Sequence, residues 1–276
     1  MAFESIPRSN LHTHTTFCDG KSTPEEIVLA AIGLGMETLG FSTHSTFPFD
    51  CVEYSLRAEK INDYRTEILR LRDAYADRIH ILLGLEQDIY SLIPPVGYDY
   101  VIGSLHYLKK DGDYLSVDAS PKLFAKIIEE RFDGDPYAFA REYFEQVAEI
   151  PHRVDCDIIG HFDLFSKFNQ GNVFFDESDR RYLDPAFDAL DTLLKYDKIF
   201  EINTGAASRG YRSIPYPASP FLARIVQKGG RVTFSSDSHV KDTLLFGFEA
   251  ALAHAKASGV RTVAMMTREG WQDFAL

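Results

Sequence analysis

Cysteine is scarce in this chain. The three present, Cys18, Cys51 and Cys156, are scattered and form no C-x-x-C pair, which excludes a disulfide framework and leaves free thiols. Basic charge is short as well: 29 Lys and Arg face 41 Asp and Glu, a formal net charge of −12, so an extended nucleic-acid backbone is not an expected partner. Long apolar runs are missing. None approaches the roughly 20 residues that span a bilayer, and the opening MAFESIPRSN lacks a charged segment followed by an apolar one. The expectation is a cytoplasmic protein without membrane contact. A complete phosphate-binding P-loop is also lacking, because GKST at 20–23 would need a glycine where Thr15 stands.

What is present is 276 residues, 45% of them hydrophobic, enough to bury one full core, and a single domain over 1–276 is expected. Short apolar runs alternate with helix-period segments from end to end. SNLHTH, ETLGFSTH, IHILLGLEQDI, DYVIGSLHYL, CDIIGH, KIFEINT, GRVTFSSDSH and VRTVAMM read as strands. Between them, helices are predicted over 24–35, 56–76, 122–130, 137–150, 184–196, 219–228 and 243–257. The first has Thr23 as N-cap, Pro24 in its first turn and Glu25 and Glu26 at its positive end. Sustained β-α repetition at this length predicts an α/β fold, a single-domain, irregular (β/α)7 TIM-like barrel. Residues 111–135 and 167–184 break the repetition and read as loops covering a site.

Nine side chains of metal-ligand type punctuate the strands: His12, His14, Asp19, His44, Glu86, His106, His161, Asp237 and His239. Alternation along a strand puts His12 and His14 on one face, and Asp237 and His239 on one face. Neutral imidazole suits zinc, iron and manganese, and a carboxylate can bridge two cations and offset their repulsion. In barrels of this kind chemistry gathers where strands end and loops begin, which is where most of the nine fall. Any one histidine there is more often a hydrogen-bonded structural residue, and that is the reading for His80, His152 and His254. Six histidines and three carboxylates recurring after successive strands instead point to a multinuclear metal hydrolase. Cys18 lies beside this set and reads as a small buried hydrophobe. Phe17, Phe47, Tyr107 and Tyr211 are candidates to line a pocket for a flat ring.

In this order, NLHTHTTFCDGK, GFSTHS, GLEQDI, IGSLHY, IGHFDLFSKF, EINTGAASRG and SSDSH resemble the PHP superfamily, named for polymerase and histidinol phosphatase. EINTG…SRG…YP and the KF after GHFDL look most like its histidinol-phosphate phosphatase branch. The resemblance implies three divalent ions: one on His12, His14, Glu86 and Asp237, a second on Glu86, His106 and His161, a third on Asp19, His44 and His239. Several relatives carry histidine where this chain has Asp19. It also implies hydrolysis of a small phosphorylated substrate, histidinol phosphate, in histidine biosynthesis, with Glu86, Asp237, His239 and Arg209 as the catalytic set. Clustered cations lower the pKa of water and stabilise transferring phosphoryl charge, so no phosphoenzyme is expected. Three divalent ions bring about six positive charges, so the local field can be positive on an acidic protein. Arg209 follows the EINTG strand, and its planar fork suits bidentate phosphate contact; Lys167 and Arg212 are further phosphate candidates. The alternatives are a PHP phosphoesterase acting on nucleotides or nucleic-acid ends, which the negative charge disfavours, and a noncatalytic metal-bearing interaction domain. Amidohydrolases share the His-x-His opening but commonly bridge metals with a carboxylated lysine, where this chain has Glu86.

Overall fold

The computed structural model describes Ile6, residues 8–49 and residues 54–276; Cys51 lies outside them. Strands run in chain order as β1 (Ser9–Asn10), β2 (Thr38–Phe41), β3 (His80–Asp88), β4 (Tyr100–Ser104), a hairpin of β5 and β6 (Tyr107–Lys110 and Asp113–Ser116), β7 (Ile158–Ile159), β8 (Ile199–Asn203), β9 (Arg231–Ser235) and a last hairpin of β10 and β11 (Thr262–Thr267 and Gly270–Ala275). Seven form one sheet in the order β1-β2-β3-β4-β7-β8-β9, every adjacent pair parallel. Such strands are covered on both faces and read as unbroken apolar runs; β2, β4 and β8 are buried at every position.

The sheet curls until its two edges meet, which gives a nearly closed seven-stranded barrel. Beyond the ladders of β1 and β9, an isolated parallel bridge pairs Thr13 with Ser238. His14 N donates to Ser238 O at 2.8 Å and Ser238 N to His12 O at 3.2 Å. Below this seam the Asn10 amide substitutes for backbone pairing: its Nδ2 donates to Ser236 Oγ at 2.8 Å and its Oδ1 accepts from Ser236 N at 3.2 Å.

Two strand expectations change. DYVIGSLHYL is one run in sequence but breaks at Leu105–His106 into β4 and β5, which leaves His106 between the two strands, its carbonyl accepting from Val117 N at 3.0 Å. VRTVAMM forms β10, but β10 pairs antiparallel with β11 outside the barrel sheet. That hairpin packs Met266 and Trp271 against an apolar cluster of Leu11, Leu82, Tyr100, Ile102 and Ile158. The cluster shields backbone that a seven-stranded barrel would otherwise leave wet.

Helices follow their local signals. Thr23 caps Pro24–Gly33 in a reciprocal box, with Thr23 N donating to Glu26 Oε2 at 2.8 Å and Glu26 N to Thr23 Oγ1 at 3.3 Å. The helix expected from 184 starts earlier, at Arg180, because Asp179 caps it and Pro185 sits inside it. Burial of Tyr182, Ala186, Ala189, Leu190 and Leu193 offsets the hydrogen bond that the proline removes. The segment expected from 243 begins as a short 3-10 turn at Lys241–Thr243, and its helix, Phe248–Ala257, starts only after the left-handed Gly247. Of the expected covering loops, 111–135 holds β6 and the helix Pro121–Arg131. Residues 167–179 do form a loop, wound around buried Asn169, whose side chain bonds Phe174 N, Phe175 N and Phe175 O.

Tyr100 occupies the barrel centre and donates its hydroxyl to Leu11 O. Gly40 and Gly84 make room for it, since a Cβ at either would overlap the tyrosine ring. Gly84→Ala is therefore expected to destabilise the fold by about 1–3 kcal/mol through overpacking. Gly33→Ala, at an exposed helical position with open space around it, should be neutral or gain up to about 1 kcal/mol. Urea denaturation of both variants checks the contrast.

Candidate metal centre

Each of the nine donors leaves the barrel at the carboxyl end of a strand. His12 and His14 follow β1, Asp19 the same loop; His44 follows β2, and Glu86 lies near the end of β3; His106 follows β4, His161 follows β7, Asp237 and His239 follow β9. Asp237 takes a left-handed backbone, φ 48°, a conformation that costs free energy in a non-glycine residue and concentrates at functional sites.

The donors converge on Glu86, 1% exposed. Its Oε2 lies 2.8 Å from His44 Nδ1, 3.3 Å from His12 Nε2 and 3.5 Å from His14 Nε2. Its Oε1 lies 2.9 Å from His161 Nε2 and 3.2 Å from His106 Nε2. On the open side, Asp237 Oδ1 stands 3.3 Å from His14 Nε2, and Asp19 stands 3.2 Å from His239 Nε2 and 3.6 Å from His44 Nε2. Four groups of donor atoms, His14–Asp19–His44–His239, His12–His14–Asp237, His12–Glu86–His161 and His44–Glu86–His106, each fall within 4.8 Å of one another. His12, His14, His44 and Glu86 thus each belong to two of these groups.

Burial alone would push the Glu86 carboxyl up, but His106, His12 and His44 outweigh it and hold it well below the usual range. Asp237 is held down similarly, by Arg209 and His12. Buried His14 is pushed well below the ordinary imidazole value by burial and by His239 and His44, so it presents a neutral lone pair. His12 Nε2, His14 Nε2, His44 Nδ1, Asp19 Oδ1 and Glu86 Oε2 are buried without a hydrogen bond. Buried polar atoms left so cost about 1–3 kcal/mol each, and here they face one another. Nitrogen and carboxylate oxygen converging in this way suit divalent cations such as zinc.

Residues not anticipated from the sequence hold the donors in place. Glu201 Oε2 accepts from His12 Nδ1 at 2.8 Å and is itself fixed by Ser235 Oγ at 2.6 Å, while Asn203 donates to Glu201 Oε1 at 2.8 Å. Asp88 Oδ2 takes His106 N at 2.8 Å and faces His106 Nδ1 at 3.3 Å. The signal was available in the period of two: Asp88 shares a strand face with Glu86, and Glu201 with Asn203.

The donors floor a cleft of about 380 Å³, walled by Tyr54, Tyr107, Ser116, Asp118, Lys167 and Arg209. A larger hollow of about 650 Å³, between Pro136–Val147 and Arg180–Leu193, holds none of the nine. Of the phosphate candidates, Arg209 lies in the cleft, its NH2 3.0 Å from Asp237 Oδ2 and its NH1 3.1 Å from Asp237 O. Lys167 lies there too, bonded to Asp118 O at 2.9 Å and Oδ2 at 3.0 Å. Arg212 does not reach it: buried, it pairs with Glu177 at 2.8 and 3.0 Å and with Ser166 O at 2.6 Å, tying down the 167–179 loop. Tyr107 lines the cleft; Phe47 packs behind it at 5.1 Å, Phe17 packs against Tyr64, and Tyr211 against Phe168. Cys18 Sγ is 3.5 Å from His14 Nδ1, with its thiol pushed up to about 11 by burial. His80, His152 and His254 lie apart; His152 contacts the Tyr196 hydroxyl and His254 bonds Pro217 O.

The PHP domain model matches residues 10–205, most of the chain and seven of the nine donors. This chain belongs to the PHP domain family. Over 281 residues it is 27% identical to a Schizosaccharomyces pombe protein named probable histidinol-phosphatase, covering 93% of this chain and 89% of that one. It is 27% identical over 273 residues to a Lactococcus lactis histidinol-phosphatase, covering 94% of each. A solved Lactococcus lactis histidinol phosphate phosphatase, complexed with zinc, L-histidinol and phosphate, has the same fold, with TM-score 0.69 at 22% identity over 96% of this chain and 98% of that chain. No helix among the described residues of this PHP protein is long and apolar enough to cross a membrane.

Glu201→Gln keeps the shape but removes the charge that orients His12. It is expected to weaken metal affinity about 10- to 100-fold with little change in the folded far-UV signal. Titration of the metal-stripped variant with zinc, followed by calorimetry, measures the shift.

Proposed function

We propose that this chain is a metal-dependent phosphomonoesterase that hydrolyses L-histidinol phosphate to L-histidinol and phosphate. The observation that carries the reading is a cluster of nine metal-type donors, six of which line one cleft together with two cations, Arg209 and Lys167. Near-full-length similarity to proteins named histidinol-phosphatase supports the substrate. We assign His12, His14, Glu86 and Asp237 to one divalent ion, Glu86, His106 and His161 to a second, and Asp19, His44 and His239 to a third. Zinc, iron and manganese all suit these donors.

Bound divalent ions supply a nucleophilic water at neutral pH and neutralise phosphate charge. The protein's share is placement. Glu86 would hold two ions, since one carboxylate oxygen faces His44, His12 and His14 and the other faces His161 and His106. Asp237 turns Oδ1 toward the histidines, where it would hold an ion, and Oδ2 toward Arg209, so it ties the phosphate clamp to the metal donors. The Arg209 fork would hold nonbridging oxygens in line, and His239, on the partly exposed side of the cleft, would hold an ion next to the leaving alkoxide. Because Arg209 already contacts Asp237, its loss acts on phosphate and on Asp237 together.

A metal-stripped preparation, reloaded with each metal and offered histidinol phosphate, nucleotide monophosphates and short oligonucleotides, tests the reading. Preferential release of phosphate from histidinol phosphate is expected; equal or better turnover of nucleotides would sink it. Glu86→Gln should lose metal and turnover in parallel, since a neutral amide cannot offset two cations. Arg209→Ala should lower kcat/KM by about 100-fold or more, with Lys rescuing only part because it lacks the planar fork.

A further inference from the structure

The cleft contains a carboxylate that metal binding does not need. Asp118 follows the β5–β6 hairpin, and its side chain is 13% exposed. Its Oδ2 is held by Lys167 Nζ at 3.0 Å, while Oδ1 has only the long contact from Ser116 Oγ at 3.4 Å and keeps capacity to accept. Burial would push its carboxyl up, but Lys167 outweighs this and keeps it ionised. It is close enough to His106, His161 and Arg209 for its field to act on them. Tyr54 lines the same cleft, within reach of the Asp118 field; its ring stacks over His44 at 4.1 Å, and its buried hydroxyl has no hydrogen-bond partner among the described residues. An anionic wall is a liability for a phosphate dianion alone. It becomes an asset when the same substrate carries a cation a few ångströms from its phosphate.

We propose that Asp118, completed by the Tyr54 hydroxyl, is the specificity subsite for the ammonium group of an amino-alcohol phosphate monoester. The proposal rests on the phosphatase reading above and names the part of the substrate that the metals do not see. Ammonium binding places a charge-assisted hydrogen bond on Asp118 Oδ1 and leaves Lys167 on Oδ2 to face the phosphate. Esters without the ammonium forgo the bond to Asp118 Oδ1, and esters with further negative charge place it against that oxygen, which Lys167 does not cover.

The test uses metal-loaded full-length enzyme and two esters, L-histidinol phosphate and its desamino counterpart, 3-(imidazol-4-yl)propyl phosphate. Wild type should favour the amino ester. Asp118→Asn should lose about 10- to 100-fold in kcat/KM on the amino ester, mainly through KM, and stay within about 3-fold on the desamino ester. Asp118→Glu should restore part of the preference, and Tyr54→Phe should show a smaller loss with the same selectivity; these two carry the comparison if the Asn variant melts early. Equal loss on both esters would overturn the proposal, reducing Asp118 to a clamp for Lys167 while leaving the phosphatase reading intact. Wild-type enzyme that hydrolyses the desamino ester but not histidinol phosphate would overturn both.

Discussion

A carboxylate buried to 1% exposure at the hub of five imidazoles is the constraint around which the upper half of the barrel is built. Moving such a charge out of water costs several kcal/mol even after relaxation, so Glu86 can stay ionised only if positive charge surrounds it. The surrounding imidazoles supply it, His106, His12 and His44 above all, and divalent ions held among these donors would add to it. The barrel interior is accordingly divided along its axis. Its lower end is filled by Leu11, Leu82, Tyr100, Ile102 and Ile158 under a hairpin lid, and its upper end by donor groups, five of whose buried atoms lack a hydrogen bond. Fold stability and metal loading are therefore linked, because ions that bind the folded donors draw the equilibrium toward the folded chain.

The same logic explains how an acidic protein can receive a phosphate. Each cation facing the cleft is tied to a carboxylate, Arg209 to Asp237 and Lys167 to Asp118, so neither side chain has to be ordered by the substrate. Such preorganisation reduces the entropy lost on binding. The −12 overall charge acts at longer range, and there it repels long polyanions whose phosphates would lie along the surface rather than inside one pocket.

How much of this was legible in the sequence follows from which signals are local. The nine donors stood out because histidines are few and their positions follow strand-like runs, so spacing alone brought them to one end of the barrel. Thr23 with Glu26 announced a helix start for the same reason. Arg212 misled, because a buried arginine after a site strand looks the same whether its fork meets phosphate or Glu177; the partner lies 35 residues away in sequence. Asp118 lies outside any strand and carries no periodic mark, so only the fold shows that it lies beside Lys167; Glu201 shares a strand face with Asn203, but its place beneath His12, 189 residues away in sequence, is likewise a product of the fold. β10 read as a barrel strand because a buried apolar run has the same pattern in a parallel sheet and in a capping hairpin.

The seam at Thr13 and Ser238 joins segments 225 residues apart. While the polypeptide is still emerging from the ribosome, seven of the nine donors are already made, but the edge that aligns His12 and His14 against Asp237 and His239 does not yet exist. The ion-binding cage is thus a late product of synthesis. A product ending before β9 would carry seven of the nine donors but neither the closing edge nor Asp237 and His239, so the open wall of the cage depends on the last quarter of the chain.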